Sequence, residues 1–249
     1  MPTTRVDALR KCEVPGDFDL VARRYDGLVS RNPGYRAHLE LSARRLALTG
    51  DGTGLRLLDL CCGTGLSTEA LVAAYPAAIV VGLDASPGML AVARAKRFAT
   101  TGAGRVELVE GDAMDPASAG VAGPFDAVLM AYGIRNMTDP DTCLANLLEL
   151  LALGAPVCFH EYSVADSARS RAIWHAVAWG IIIPGGLVTS RHTRLYRYLW
   201  RSVLDFDGVA AFEQRLARTG FTDVRTEELD GWQCGITHSF LARRPADAG

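Results

Sequence analysis

The chain has 249 residues, enough for one large domain or one core with a small appended element. With 49% hydrophobic, 22% charged and 8% aromatic residues the composition is globular, and a formal charge of −2 lacks the basic field that drives binding to nucleic-acid phosphates. Six cysteines, two of them the adjacent Cys61 and Cys62 and none in a CxxC pair, argue against both a disulfide framework and a zinc site.

Along the chain, residues 1–12 carry Arg5, Asp7, Arg10 and Lys11 with no apolar run, which argues against a secretory signal and predicts a cytoplasmic protein. Residues 17–30 and 33–48 show apolar side chains three and four apart (Phe18, Val21, Tyr25, Leu28; Leu39, Ala43, Leu46) and read as two helices, an N-terminal cap of residues 1–50 over a domain of residues 51–249. Short apolar runs at 55–60, 78–83, 106–109, 125–131 and 156–162 read as strands. Helical segments separate them: 66–75, one opened by Ser86-Pro87 and reaching about Phe98, and one opened by Asp139-Pro140. Residues 166–204 are a helical lid broken at Pro184-Gly185-Gly186, and their uncharged stretch 172–188 falls short of a membrane span, compatible with superficial membrane contact only. A helix at 208–219 is followed by strands at 221–229 and 234–242, joined by Asp230-Gly231 as a hairpin turn. The expected fold is α/β: a Rossmann-like, doubly wound, mostly parallel seven-stranded sheet with an antiparallel last strand.

The segment Asp59-Leu60-Cys61-Cys62-Gly63-Thr64-Gly65 ends the first strand and opens a helix. Glycines there let the backbone pass close to a ligand, and the helix start offers unpaired N–H groups. Asp84 ends the second strand 19 residues after Gly65, where a carboxylate can accept both hydroxyls of a ribose. A dinucleotide fingerprint would place glycine where Thr68 stands, so the pattern leans towards a nucleoside cofactor other than NAD. Asp112, within Glu110-Gly111-Asp112-Ala113, ends the third strand, where it can bond an adenine amino group or act as a turn residue.

These features together resemble class I S-adenosylmethionine-dependent methyltransferases. A closer resemblance, over about residues 17–243, is to the ubiquinone/menaquinone biosynthesis C-methyltransferase family, carried by Val21-Ala22-Arg23-Arg24-Tyr25-Asp26, Gly133-Ile134-Arg135-Asn136-Met137-Thr138-Asp139, Glu161-Tyr162-Ser163 and Tyr196-Arg197-Tyr198-Leu199. The resemblance implies S-adenosylmethionine as cofactor, S-adenosylhomocysteine as product, and no metal. It implies a cofactor shell of Tyr25, Asp59, Cys61, Gly63, Thr64, Gly65, Asp84, Ala85, Met89, Gly111, Asp112, Ala113, Ala131 and Tyr132, with Arg135 and Asn136 beside the cofactor and reacting ring.

Departures from the family pattern are Cys61 and Cys62 in place of small residues, Val164-Ala165 in place of Lys-Pro, Arg201 in place of an acid, and Trp232 and Gln233 at usually small apolar positions. His160, ending the fifth strand beside Glu161, is the first histidine candidate for a base; its other reading is a packed histidine. Glu161, His192, Tyr196, Tyr198 and His238 are the candidate substrate contacts. The expected activity is C-methylation of a quinol, phenolic or isoprenoid-type small molecule. The alternatives are O- or N-methylation of a specialised metabolite, and a NAD-dependent oxidoreductase or catalytically silent cofactor binder. A lipophilic small-molecule partner and a homodimer are both compatible with the sequence.

Overall fold

The computed structural model describes residues 5–30, 32–101, 105–189 and 193–247. Elements follow in the order α1 (Arg5–Val29), α2 (Tyr35–Arg44), β1 (Arg56–Leu60), α3 (Leu66–Ala74), β2 (Ile79–Asp84), α4 (Pro87–Arg94), α5 (Arg97–Thr101), β3 (Val106–Glu110), β4 (Ala127–Ala131), α6 (Pro140–Leu150), β5 (Pro156–Tyr162), α7 (Ala168–Val177), α8 (Ile183–Thr189), α9 (Thr193–Leu204), α10 (Val209–Thr219), β6 (Thr222–Glu228) and β7 (Thr237–Arg243). One sheet of seven strands has the order β3-β2-β1-β4-β5-β7-β6, parallel from β3 to β5, with β7 antiparallel to both its neighbours. The expected doubly wound sheet with an antiparallel last strand is what the chain forms.

Alternate strand residues feed two cores. Leu58, Leu60, Val128, Met130, Val157, Phe159 and Phe240 pack with Leu144 and Leu147 of α6 and Phe212 and Leu216 of α10. From the other face, Leu57, Val80, Ala127, Leu129 and Leu241 pack with Leu39 and Ala43 of α2 and Ala70 and Leu71 of α3. At about 25 cal/mol per Å² of apolar area removed from water, these two layers are the main source of stability. A third cluster of Tyr162, Val164, Trp174, Val203 and Ile236 joins α7 and α9 to the ends of β5 and β7.

Both expected proline starts are real. Ser86 accepts from Met89 N–H at 3.1 Å and Asp139 from Thr142 N–H at 3.2 Å, each before a proline whose missing N–H costs nothing there. Four expectations are corrected. The first helix starts well before residue 17, at Arg5. The helix opened by Pro87 ends at Arg94, and Phe98 belongs to the separate α5. Pro184-Gly185-Gly186 is no break: the chain stays helical through it as α8, because the preceding wide turn Ala178–Ile182 shifts the bonding to Ile183 N–H on Ala178 O, next to a proline that has no donor. Asp230-Gly231 is no two-residue hairpin turn; residues 229–236 form a longer connection with a 3₁₀ turn at Gly231–Gln233, since its side chains are drawn onto α2.

Candidate active site

The strand order reverses between β1 and β4, where open α/β sheets bind ligands beyond the carboxyl ends of the strands. Here the backbone is held in the left-handed region at two non-glycine residues, Cys61 (φ 64°) and Tyr132 (φ 56°), conformations that the surrounding fold must impose. The two loops press on each other: a side chain at Gly133 would meet Met130 Cε at 2.7 Å and Cys61 Sγ at 2.9 Å. From this point a cavity of about 970 Å³ extends under α1 and the helices α7 to α9.

One end of the cavity is polar. Asp84, at the end of β2, accepts from Gly63 N–H at 2.8 Å and Ser86 N–H at 2.9 Å, so its carboxylate is fixed in direction on the cavity wall. Burial pushes its carboxyl up, and those two N–H groups oppose the push. Gly63 has φ 55° with open space where a Cβ would stand, and Gly65 (φ 80°) admits none because Phe98 would lie 2.5 Å away. The helix α3 begins immediately after, with Thr64 bonded to Asp26 of α1 at 2.5 Å. Asp19 of α1 accepts from Ser86 Oγ at 2.5 Å and Gly88 N–H at 2.8 Å, which ties α1 down beside this end. Asp59 lies fully buried behind the loop, accepting from Ser67 at 2.8 Å and Thr68 at 2.5 Å; its Oδ1 has no partner among the described residues, and burial pushes the carboxyl up to about 7.

The middle of the cavity is aromatic. Tyr35 stacks on Tyr132 with ring centroids 5.6 Å apart, and Tyr132 meets Tyr162 at 4.7 Å. Tyr25 of α1 lies on the same wall. Burial raises all four phenols above their ordinary value, so they are neutral donors at physiological pH. The Arg135 guanidinium is paired with Glu161, donates Nε–H to Ser202 Oγ at 3.0 Å and lies over the Tyr162 ring at 5.7 Å. Nε and Nη1 are thereby engaged, and Arg135 lies on the cavity wall. Asn136 donates to Tyr132 O at 3.1 Å and accepts from Tyr198 at 3.1 Å, with the Tyr198 phenol pushed up to about 12 by burial. Beyond Tyr162 the wall turns apolar, with Ile173, Val177, Ile181, Ile182 and Leu199.

The profile of the ubiE/COQ5 methyltransferase family matches residues 6–241. The chain belongs to that family. It is a methyltransferase that uses S-adenosylmethionine. It is 30% identical over 243 residues to a demethylmenaquinone methyltransferase of Lactococcus lactis subsp. lactis (strain IL1403), covering 97% of this chain and 94% of that one. It is 34% identical over 221 residues to a ubiquinone/menaquinone biosynthesis C-methyltransferase UbiE of Methylobacterium nodulans, covering 88% and 86%. Among solved structures, the [4+2]-cyclase SpnF superposes with a TM-score of 0.67 at 19% identity over 94% of this chain and 96% of that one. A Haemonchus contortus phosphoethanolamine N-methyltransferase 2 in complex with S-adenosyl-L-methionine superposes with 0.65 at 19% identity over 91% and 57%. Those two likenesses are of fold.

The residues of this methyltransferase fit its cofactor. Gly63 leaves open space beside a fixed, half-buried carboxylate, the α3 N-terminus faces the same space, and Asp112 stands at the end of β3 with Oδ1 accepting from Met114 N–H at 2.8 Å. Among the described residues no group of His, Cys, Asp and Glu is placed to hold a metal ion, and no helix is long and apolar enough to cross a membrane.

Of the residues singled out in the sequence, Tyr25, Cys61, Gly63, Thr64, Asp84, Ala85, Met89, Asp112, Ala113, Ala131 and Tyr132 line the cavity, as do Arg135, Asn136, Tyr196 and Tyr198. Asp59, Gly65 and Gly111 stand behind that wall: Asp59 and Gly65 support the loop, and Gly111 packs on Ala119, which a Cβ would meet at 2.5 Å. Glu161 reaches the cavity only through Arg135, and His238 is buried on β7 facing Phe240. His192 lies outside the described residues. His160 is fully buried off the wall: its Nδ1 lies 2.7 Å from Ser42 Oγ and its Nε2 2.9 Å from the Tyr132 hydroxyl. Burial drops the imidazole to about 3, so it is neutral, with its two ring nitrogens taken by Ser42 and Tyr132. Cys61 is on the wall as a neutral thiol, pushed well up by burial.

Sequence reasoning missed Tyr35, Tyr162 and Trp232. Tyr162 was within reach of it, as the centre of Glu161-Tyr162-Ser163; Trp232 carried the signal of a large side chain where the family has small ones.

Proposed function

We propose that this methyltransferase methylates a ring carbon of a quinol or phenol bearing an apolar substituent. The observation that carries the reading is Arg135: a fixed cation between the polar and apolar ends of the cavity, surrounded by phenols that burial keeps protonated. S-adenosylmethionine supplies an electrophilic methyl group on its sulfonium. Asp84 receives the ribose hydroxyls, the Gly63 loop and α3 N-terminus receive the polar end of the cofactor, and Asp112 receives the adenine. Arg135 would meet the acceptor hydroxyl and stabilise its ionised form, the hydroxyl proton passing to solvent, which makes the neighbouring ring carbon a stronger nucleophile; the carbon that gains the methyl gives up its own proton to solvent as the aromatic ring is restored. Asn136, held by Tyr198 and the Tyr132 carbonyl, fixes the ring, and the tyrosines exclude water and hold the reactants in near-attack geometry.

The names of the relatives, demethylmenaquinone and ubiquinone/menaquinone C-methyltransferases, support a quinol acceptor. The apolar wall of α7 and the wide turn after it, with Trp179 and Ile181 exposed on that turn, supports a lipophilic acceptor and superficial membrane contact by a cytoplasmic enzyme. Residues 1–50 act as a cap over the cofactor end.

The test is incubation of the purified protein with methyl-labelled S-adenosylmethionine and a panel of naphthoquinols, benzoquinols and phenols, with carbon NMR of the product. A label on a ring carbon is the expected result. A label on oxygen or nitrogen, or no transfer to any member, overturns the reading.

A further inference from the structure

The connection between β6 and β7 carries an indole into the cavity wall. Trp232 packs against the Tyr162, Trp174, Val203 and Ile236 cluster and lines the cavity beside Asn32. Its seat is a hydrogen-bond chain whose direction can be read donor by donor. An indole N–H can only donate, so Asn32 Oδ1, 3.1 Å away, is the acceptor and the Asn32 amide is fixed. Fully buried Gln233 places Nε2 3.2 Å from the same oxygen, so it donates there and turns Oε1 towards His38 Nδ1 at 3.0 Å. His38 therefore donates at Nδ1, and its Nε2 lies 2.6 Å from Asp230 Oδ1, back on the connection. Three side chains of the connection are thus clamped to the α1–α2 corner around one ring.

We propose that Trp232 is a specificity-determining residue: the clamped indole is a fixed wall that limits how large an apolar substituent the methyl acceptor can carry. The inference rests on the reading that the acceptor bears such a substituent. A rigid wall discriminates by length, because each methylene that fits adds about fourfold in affinity and the first that does not fit loses it. An unclamped loop would yield instead and show no sharp limit.

The experiment is calorimetric titration of the S-adenosylhomocysteine-loaded protein with 4-alkylphenols from methyl to decyl, for wild type, W232A, W232F and N32L. Wild type should show affinity rising with length and then breaking at one length. W232A should move the break to longer chains, W232F should move it less, and N32L, which keeps the ring but removes its acceptor, should blur it. In turnover with 2-alkyl-1,4-naphthoquinols, the ratio of kcat/KM for the longest to the shortest acceptor should rise about tenfold or more in W232A. If W232A does not fold, W232F and N32L decide. The same break in all folded variants overturns the proposal. If the break moves while wild type methylates no acceptor, the substrate reading fails and the role of Trp232 stands; methylation with an unmoved break fails the role of Trp232 alone.

Discussion

Arg135, in the turn after β4, and Glu161, near the end of β5, form an ion pair in which both side chains are buried. Burial pushes the Glu161 carboxyl up and the guanidinium opposes it, while Tyr162 N–H also bonds Glu161 Oε1 at 2.8 Å. Removing either partner leaves a charge in the interior, which costs far more than the pair contributes. Arg135→Ala is expected to lower unfolding free energy by about 3–5 kcal/mol and turnover by about a hundredfold, with S-adenosylmethionine affinity nearly intact. Urea denaturation, steady-state kinetics and calorimetry check the three; full activity in the variant would remove Arg135 from the reaction.

Asp84→Ala should act on the cofactor instead. The substitution removes the ribose acceptor and strands Gly63 N–H and Ser86 N–H, so S-adenosylmethionine binding should weaken by about 1–3 kcal/mol. Calorimetric titration of the folded variant measures it, and unchanged affinity would contradict the placement of the ribose.

Asp59 gives a pH dependence of stability. Its carboxyl, pushed up to about 7 by burial, ionises near 3.9 when the chain unfolds. Between those values the folded state holds a proton that the unfolded state has released. The stabilising contribution is therefore complete below about pH 4 and is lost as pH rises through about 7. Relative to Asp59→Asn, wild type should lose on the order of a few kcal/mol between pH 4 and 8. Equal pH slopes in urea denaturation would show that the carboxylate is ionised in the folded protein.

His160, dropped to about 3, is neutral throughout the working range and hydrogen-bonded to the Tyr132 hydroxyl. The pH profile of kcat/KM between pH 5 and 9 should keep its shape in His160→Asn, even where the amplitude falls because Tyr132 is less well held. A limb near pH 6 to 7 that vanishes with the substitution would restore His160 as the base.

The sheet was legible because its central strands β1, β4 and β5 are buried along nearly their whole length and its helices announce themselves with Ser86-Pro87 and Asp139-Pro140. Asp84 was legible because a strand end fixes where its side chain goes. The same reasoning placed His160 correctly at the end of β5 and could not orient it: every residue of β5 is buried, so no polar alternation tells which face is the cavity. Only the observed register sets His160 opposite Ser239, under α2, and Glu161 opposite His238. Tyr35 and Trp232 enter from elements far apart in the chain, with contacts such as Trp232 to Asn32 spanning 200 positions, beyond any local pattern.

The position of β7 bears on how the molecule comes into being. Thr237–Arg243 is the last strand among the described residues, yet it lies inside the sheet between β5 and β6. During synthesis β5 must wait, with one edge of its backbone unpaired, until α7 to β6 have been made. An open apolar edge of that kind is a template for pairing with another chain, so the nascent protein carries this liability until Thr237–Arg243 emerges. Loss of Thr237–Arg243 would leave the parallel strands in that state permanently.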